Sequence, residues 1–183
     1  MKLVILDRDG VINEDSPDYI KSPQEWHPIP GSLEAIARLH RAGFHVFVAT
    51  NQSGIGRGLF GYEEMFAIHE RMQAALAEFG ARVDAVEFAP DHPDAATPLR
   101  KPAPGMLQDI ARRLQTSLVD VPVVGDSVRD IVAARAVGAR PILVLTGNGN
   151  RARQQPGMAG VETYDDLARF VSAYLEAAPP TPS

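Results

Sequence analysis

The chain has no cysteine among its 183 residues. Disulfide bonds, thiolate metal sites and catalysis by a cysteine nucleophile are therefore excluded, and we expect a cytoplasmic protein. Long apolar runs are missing as well. The N-terminal run ends at Asp7, far short of the roughly 18 residues that a membrane helix needs, and no signal-peptide cleavage site follows it. We expect neither a membrane span nor a secretion signal.

Excess positive charge is also lacking. The formal net charge is −5, and a mildly acidic surface argues against binding to nucleic acid or to an anionic membrane. Apolar residues make up 45% and charged residues 22%, a balance that favours a packed core over disorder. We expect a monomer with a single domain over residues 1–176 and a disordered tail over residues 177–183.

Short apolar runs are the clearest structural feature of the sequence. Runs of this kind, without alternation, are typical of parallel strands that are buried on both faces of a sheet. Four of them are well defined and a fifth is weaker. They are Leu3–Leu6, His45–Ala49, Val121–Val124, Pro141–Leu145 and, as the weaker one, Val83–Phe88.

Helical patterns lie between these runs. The first begins with Ser32 as its predicted N-cap and ends at Gly43; the others cover residues 63–79, 105–114, 128–137 and 165–176. Alternating strands and helices predict an α/β fold with a doubly wound, mainly parallel sheet. Residues 13–30 and 90–104 lack periodicity, and long loops of this kind are usually functional.

Polar residues follow the predicted strands at the ends where ligands bind in such sheets. Asp7 and Asp9 follow the first strand, Thr50 the second and Asp126 a later one, while Lys101 ends the proline-rich loop. Because these strand ends share one edge of the sheet, we expect the five side chains to converge.

Their chemistry suits phosphoryl transfer. Asp7 and Asp126 can share a Mg²⁺ ion, and Asp7 can attack phosphorus to give an aspartyl-phosphate. Asp9 can act as general acid and base, which requires a pKa above the usual value of about 3.9. Thr50 and Lys101 can bind the phosphoryl oxygens.

Each fragment alone also has an ordinary explanation, since an Asp-x-Asp-Gly segment is often a solvated turn. Three other functions compete with a phosphatase. A phosphoacceptor receiver module has similar residues, but its acceptor Asp follows a later strand. A phosphotransferase or mutase with related chemistry usually carries a larger inserted cap domain. The Gly56–Gly61 segment matches a dinucleotide-binding pattern but does not directly follow a strand.

The four clusters together resemble the motifs of the haloacid dehalogenase (HAD) superfamily, over about residues 2–146. The matching segments are Asp7–Ile12, Thr50-Asn51, Lys101 and Gly125–Asp130. The resemblance implies a HAD-like fold with Asp7 as nucleophile and Asp9 as general acid and base. It also implies Mg²⁺ bound by Asp7, by the backbone carbonyl of Asp9 and by Asp126. The intervals between motifs are short, so we expect an essentially capless enzyme.

A closer resemblance is to the D-glycero-D-manno-heptose 1,7-bisphosphate phosphatases, with histidinol-phosphate phosphatases as the alternative. It rests on Leu6–Asn13, Thr50–Gly58 and Arg100–Met106, and it implies a small phosphorylated sugar as substrate. The implied substrate contacts are Ser16, Pro17, Asp18, Tyr19, Thr50, Asn51, Gln52, Ser53, Arg100, Lys101 and Ser127. Arg100 also offers a planar pair of donors that suits a second phosphate.

One departure from that family concerns zinc. Many of its members bind zinc through three Cys and one His in the loop before Arg-Lys-Pro. The corresponding loop here, residues 89–99, has only Asp91 and His92 as central ligand candidates. Two such residues cannot complete a four-ligand site. We therefore expect no structural zinc and a loop that is shaped by its prolines.

Overall fold

The computed structural model describes residues 1–177, and its centre is a parallel β-sheet. The strands are β1 (Leu3–Leu6), β2 (His45–Asn51), β3 (Ala85–Ala89), β4 (Pro122–Gly125), β5 (Arg140–Val144) and β6 (Glu162–Tyr164). Their order is β3-β2-β1-β4-β5-β6, and every neighbouring pair is parallel. The predicted α/β fold with a doubly wound sheet is confirmed.

Helices cover both faces of this sheet. They are α1 (Ser32–Arg41), α2 (Ser53–Gly56), α3 (Tyr62–Ala77), α4 (Gly105–Leu114), α5 (Val128–Ala136), α6 (Gly149–Ala152) and α7 (Leu167–Ala177). Single 3₁₀ turns occur at Pro23–Glu25 and Pro93–Ala95. Across residues 1–177, no helix is long and apolar enough to cross a membrane.

Side chains of β1 alternate between two cores. Val4 and Leu6 pack in the core formed with α1, α3 and α7, whereas Leu3 and Ile5 pack in the core formed with α4 and α5. All four are buried. Burial on both faces explains why this strand is a continuous apolar run and why it occupies the centre of the sheet.

Three details differ from the sequence predictions. β6 was missed because Glu162, Thr163 and Tyr164 form a short, polar edge strand without an apolar run. Helices α2 and α6 are single turns, too short to show helical periodicity. Ala177 ends α7, so the predicted tail begins one residue too early, and its remaining residues, 178–183, lie outside the described residues.

The predicted cap of α1 is also wrong. Gly31, with φ 84°, is the N-cap, and Ser32 is already the first helical residue. The hydroxyl of Ser32 donates instead to the carbonyl oxygen of Val11 at 2.8 Å. A buried carbonyl needs such a partner, so Ser32 fastens the segment after β1 to α1.

The two long loops leave the carboxyl edge of the sheet accessible. Residues 7–31 join β1 to α1 and residues 90–104 join β3 to α4, and each loop has one 3₁₀ turn and no longer helix. Neither forms a separate cap, so within residues 1–177 the expected capless architecture is present.

The two-sided core predicts the effect of truncating Ile36, a fully buried residue of α1. Ile36→Ala should lower the free energy of unfolding by about 2–5 kcal/mol, because it leaves a cavity. Val132→Ala is the control, since Val132 lies on α5 with 43% of its surface exposed; its effect should stay within about 0.5 kcal/mol. Urea unfolding followed by circular dichroism measures both, and equal losses would contradict this account of the core.

Candidate active site

A cavity of about 300 Å³ opens at the carboxyl ends of β1, β2 and β4. It brings together almost all residues that the sequence predicts for the site: Asp7, Asp9, Ser16, Pro17, Tyr19, Thr50, Asn51, Gln52, Ser53, Arg100, Lys101, Asp126 and Ser127. Asp18 is the exception. It is exposed and does not line the cavity, and its carbonyl oxygen accepts a hydrogen bond from Lys21.

Lys101 is the buried cation at the centre of this cavity. Its ammonium nitrogen lies 3.1 Å from Oδ1 of Asp7 and 2.6 Å from Oδ1 of Asp130, and it donates to the carbonyl oxygen of Ala49 at 2.7 Å. Burial tends to lower the pKa of Lys101, but Asp130 and Asp7 outweigh it and the pKa is raised. The group therefore stays positively charged at neutral pH.

Asp130 holds Lys101 and leaves no oxygen unused. Its Oδ1 accepts from Lys101, while Oδ2 accepts from the backbone nitrogen and the hydroxyl of Ser127 at 3.0 and 2.6 Å. The Ser127 contacts form a capping box at the start of α5. Asp130 thus connects the helix start to the cation.

Asp7 and Asp126 have the properties of ligands for a divalent cation. Ligand oxygens of Asp7, Asp126 and Asp130 lie within 4.8 Å of one another. Burial, with added repulsion from neighbouring carboxylates, raises the pKa of Asp7 to about 8 even though Lys101 opposes it. Burial and Asp130 raise the pKa of Asp126 to about 7. Carboxylates that repel one another in this way suit Mg²⁺, which prefers oxygen ligands.

Asp9 differs from Asp7, and the expectation of a raised pKa is wrong for it. Its carboxylate accepts hydrogen bonds from Arg8 at 2.8 Å, from Asn13 at 2.9 Å and from Gln52 at 2.8 Å. Burial favours the neutral acid, but the charge of Arg8 and these hydrogen bonds lower the pKa below its usual value. The pKa of Asp9 is lowered and not raised because the fully buried side chain of Arg8 contacts its carboxylate.

Arg8 is supported in turn by His69 of α3. Nη1 of Arg8 lies 3.2 Å from Nε2 of His69. Burial and the charge of Arg8 lower the pKa of His69 to about 4, so the imidazole is neutral and its unprotonated nitrogen can accept from the guanidinium. A buried arginine needs such partners for its remaining donors.

Two residues at the end of β2, Asn51 and Gln52, form hydrogen bonds with residues of the other predicted motifs. The side-chain amide of Asn51 accepts from the backbone nitrogen of Lys101 at 3.0 Å and donates to its carbonyl oxygen at 2.9 Å. Gln52 donates to Oδ2 of Asp9 and to the hydroxyl oxygen of Thr50 at 3.0 Å. Both residues, which the sequence predicts as substrate contacts, also position the catalytic candidates.

The loop before Arg100 is shaped by hydrogen bonds and not by proline alone. Asp91 accepts from the backbone nitrogen of Thr97 at 2.6 Å, and His92 accepts from that of Asp94 at 3.1 Å. Arg100 donates to the carbonyl oxygen of Asp91 at 3.3 Å. Asp91 and His92, the two ligand candidates, are thus used to fold the loop on itself.

Two further arginines line the cavity and were missed. Arg57 and Arg129 face the same space as Arg100, and burial, then Arg129, then Arg57 act to lower the pKa of Arg100. Arg57 also lies 5.9 Å above the ring of Tyr19, a residue with φ 66°. Arg57 lies in Thr50–Gly58, one of the segments that carry the closer family resemblance, and that position was the available signal.

The segment after β5 was also missed, although its position carried a signal. Both the backbone nitrogen and the side-chain amide of Asn148 donate to Oδ2 of Asp126, at 2.8 and 3.3 Å. Gly10 and Gly147 have positive φ, and a side chain on either would collide with the Asp126 carboxylate. The residues that follow β5, Thr146–Asn150, are polar and glycine-rich and lie at the same edge of the sheet as the other clusters.

Comparisons with known proteins agree with this geometry. Residues 98–170 match the HAD-hydrolase-like family. The D-glycero-β-D-manno-heptose-1,7-bisphosphate 7-phosphatase of Bordetella bronchiseptica is 51% identical over 97% of this chain and 100% of its own length. The enzyme of the same name from Pseudomonas aeruginosa is 49% identical over 95% of this chain and 98% of its own length.

Solved structures lead to the same family. The D,D-heptose 1,7-bisphosphate phosphatase from B. bronchiseptica, complexed with magnesium and phosphate, superposes with a TM-score of 0.95 at 51% identity, covering 97% of this chain and 100% of that one. The corresponding enzyme from Burkholderia thailandensis gives 0.76 at 46% identity, with 96% and 99% covered. A receiver module is thereby excluded. The chain is a phosphatase and belongs to the D-glycero-β-D-manno-heptose-1,7-bisphosphate 7-phosphatase family of HAD-like hydrolases.

Proposed function

We propose that this phosphatase removes the 7-phosphate of D-glycero-β-D-manno-heptose 1,7-bisphosphate in a Mg²⁺-dependent reaction. The observation that carries the proposal is the position of Asp7, 3.1 Å from Lys101 and grouped with Asp126 in one open cavity. Relatives named for this activity match nearly the whole chain, and the similar B. bronchiseptica structure holds magnesium and phosphate.

In the first step a carboxylate oxygen of Asp7 attacks the phosphorus, and the bond from phosphorus to the sugar oxygen breaks. The product is an aspartyl-phosphate on Asp7 and the free alcohol. Mg²⁺, held by Asp7, Asp126 and the backbone carbonyl of Asp9, would offset the negative charge of the reacting groups. Lys101 contributes a fixed positive charge beside the same oxygens.

Thr50 is suited to bind the phosphoryl group. Its hydroxyl oxygen accepts from Gln52 at 3.0 Å, and its side chain is almost fully buried at the cavity wall. A hydroxyl that accepts one hydrogen bond keeps its own proton for another partner. We assign that proton to a phosphoryl oxygen.

Asp9 serves as base in the second step and as acid in the first. Its lowered pKa keeps the carboxylate ionised at neutral pH, and in this form it can take a proton from the water that attacks the aspartyl-phosphate. To act as acid it must first carry a proton. A phosphate dianion bound nearby raises the pKa of a carboxyl group, and we propose that the substrate itself brings Asp9 to the protonated state.

The arginines at the cavity mouth select a substrate with a second phosphate. Arg57, Arg100 and Arg129 line the same space. Burial, together with the charges of Arg129 and Arg57, lowers the pKa of Arg100, and an anion would relieve the repulsion among the three. Guanidinium groups bind phosphate through paired hydrogen bonds. The transferred phosphate then occupies the Asp7 end of the cavity and the second phosphate its mouth.

Asp7→Asn should lower phosphate release from the bisphosphate by at least about 1,000-fold, because an amide cannot form the aspartyl-phosphate. The variant should remain folded, since the raised pKa of Asp7 shows that its site already favours the neutral form. Asp18→Asn, an equivalent change outside the cavity, should leave the rate near that of the wild type. An Asp7→Asn enzyme with more than a tenth of wild-type activity would remove Asp7 from the nucleophile position.

Removal of metal should destabilise the protein in a pH-dependent way. Folding raises the pKa values of Asp7 and Asp126 to about 8 and about 7. This contribution to stability is complete below the unfolded pKa of about 4 and is lost as pH rises through 7 to 8. In EDTA the Tm should therefore fall between pH 6 and pH 8.5.

Added Mg²⁺ should raise that Tm, and by more at pH 8.5 than at pH 6, because ligands must be deprotonated to bind metal. Differential scanning fluorimetry at several pH values measures both effects, with Asp126→Asn as the variant that should lose most of the Mg²⁺ response. A metal response that is the same at every pH would contradict the paired ligand role of Asp7 and Asp126.

Arg100→Ala should discriminate between substrates. We expect kcat/KM for the heptose bisphosphate to fall about 10- to 100-fold, the cost of losing a charged hydrogen-bond donor, while p-nitrophenyl phosphate changes little. Arg112→Ala is the control, because Arg112 is exposed on α4 and pairs with Asp109. Histidinol phosphate completes the substrate panel. Equal losses on both phosphate esters would show that Arg100 does not select the second phosphate, and faster turnover of histidinol phosphate would replace the proposed substrate.

A further inference from the structure

We infer that Asn148 is a positioning residue that orients the metal ligand Asp126 and connects it to Asp15, which lies in the loop of residues 7–31 and lines the cavity. The inference rests on the magnesium site proposed above. It concerns a residue outside all four sequence motifs, contributed by the segment between β5 and α6.

The backbone nitrogen and the side chain of Asn148 contact two carboxylates and one cation. Its backbone nitrogen donates to Oδ2 of Asp126 at 2.8 Å, and its Nδ2 lies 3.3 Å from the same oxygen. Nδ2 also donates to Oδ2 of Asp15 at 2.8 Å. Oδ1 of Asn148 accepts from Arg151 at 3.2 Å. A primary amide has two hydrogens on its nitrogen, so one can serve each carboxylate.

These contacts select which oxygen of Asp126 faces the metal site. Both donors of Asn148 converge on Oδ2, and the backbones at Gly10 and Gly147 pack against the same carboxylate. Oδ2 is therefore held by the protein, and within residues 1–177 Oδ1 accepts no side-chain or backbone hydrogen bond. Partners of this kind fix the orientation of a metal-binding carboxylate before the ion arrives.

A helix-capping role does not explain these contacts. Asn148 is the residue before α6, yet its side chain makes no capping hydrogen bond with that helix. Its amide nitrogen is turned toward Asp126 and Asp15 instead. Asp15 in turn accepts from the backbone nitrogen of Ser16 at 2.8 Å, and Ser16 lines the cavity. The amide of Asn148 thus connects the metal site to the loop of residues 7–31.

Calorimetric titration of Mg²⁺ into the metal-free protein, without substrate, tests the inference. Asn148→Ala and Asn148→Leu both remove the side-chain amide and leave the backbone donor in place, and the second keeps the approximate size of the side chain. We expect either variant to bind Mg²⁺ about 10- to 100-fold more weakly, the usual cost of losing a residue that orients a metal ligand. The Mg²⁺ concentration for half-maximal activity should rise accordingly, whereas kcat at saturating Mg²⁺ should stay within about threefold of wild type.

Asn150→Ala is the matched control. Asn150 is an exposed asparagine of α6, two residues after Asn148, and its amide donates to the carbonyl oxygen of Leu145 and not to either carboxylate. It should bind Mg²⁺ like the wild type. Equal Mg²⁺ affinities for wild type, Asn148→Ala and Asn148→Leu would overturn the inference, as would a lower Tm of the metal-free variants with unchanged affinity. A wild-type protein that binds no Mg²⁺ would overturn the proposed metal site itself.

Discussion

The excess of negative charge at one edge of the sheet is the constraint on which the site depends. Asp7 and Asp9, which are partly buried, converge there with the buried Asp126 and Asp130, and within residues 1–177 the buried cations are Arg8 and Lys101. Arg8 is paired with Asp9, and Lys101 is shared by Asp7 and Asp130. With all four carboxylates ionised, two negative charges remain, the charge that one Mg²⁺ ion would balance. Because the pKa values of Asp7 and Asp126 are raised to about 8 and about 7, the metal-free site approaches neutrality by protonation of these two groups, and a divalent cation would take the place of those protons.

The register of the sheet makes this convergence unavoidable. Leu6 of β1 is aligned with Val124 of β4, and the backbone nitrogen of Asp7 donates to the carbonyl oxygen of Val124 at 2.8 Å. Asp7 and Asp126 therefore leave adjacent strands side by side. The two cores that fix β1 and β4 in place supply the stability that holds repelling carboxylates together, as active sites commonly require.

Strand positions and motif residues could be predicted because they depend on local pattern and on one topological rule. Apolar runs locate buried strands, and polar residues after them meet at one edge of a parallel sheet. Contacts between side chains could not be predicted in the same way. Whether Arg8 turns toward Asp9, or Asn148 toward Asp126, depends on partners that are distant in the sequence. β6 was missed for a related reason: an edge strand with polar residues has no apolar pattern to detect.

Asp7 and Asp9 show how two residues of one type acquire different chemistry. Arg8, Asn13 and Gln52 stabilise the charged form of Asp9 and lower its pKa, whereas burial beside other carboxylates raises that of Asp7 to about 8. Carboxyl groups whose environments push their pKa values apart are suited to separate tasks. In the proposed mechanism Asp9 takes a proton from water, and Asp7 acts as the nucleophile once a bound cation favours its ionised form. The repulsion that raises the pKa of Asp7 would then couple its reactivity to metal binding.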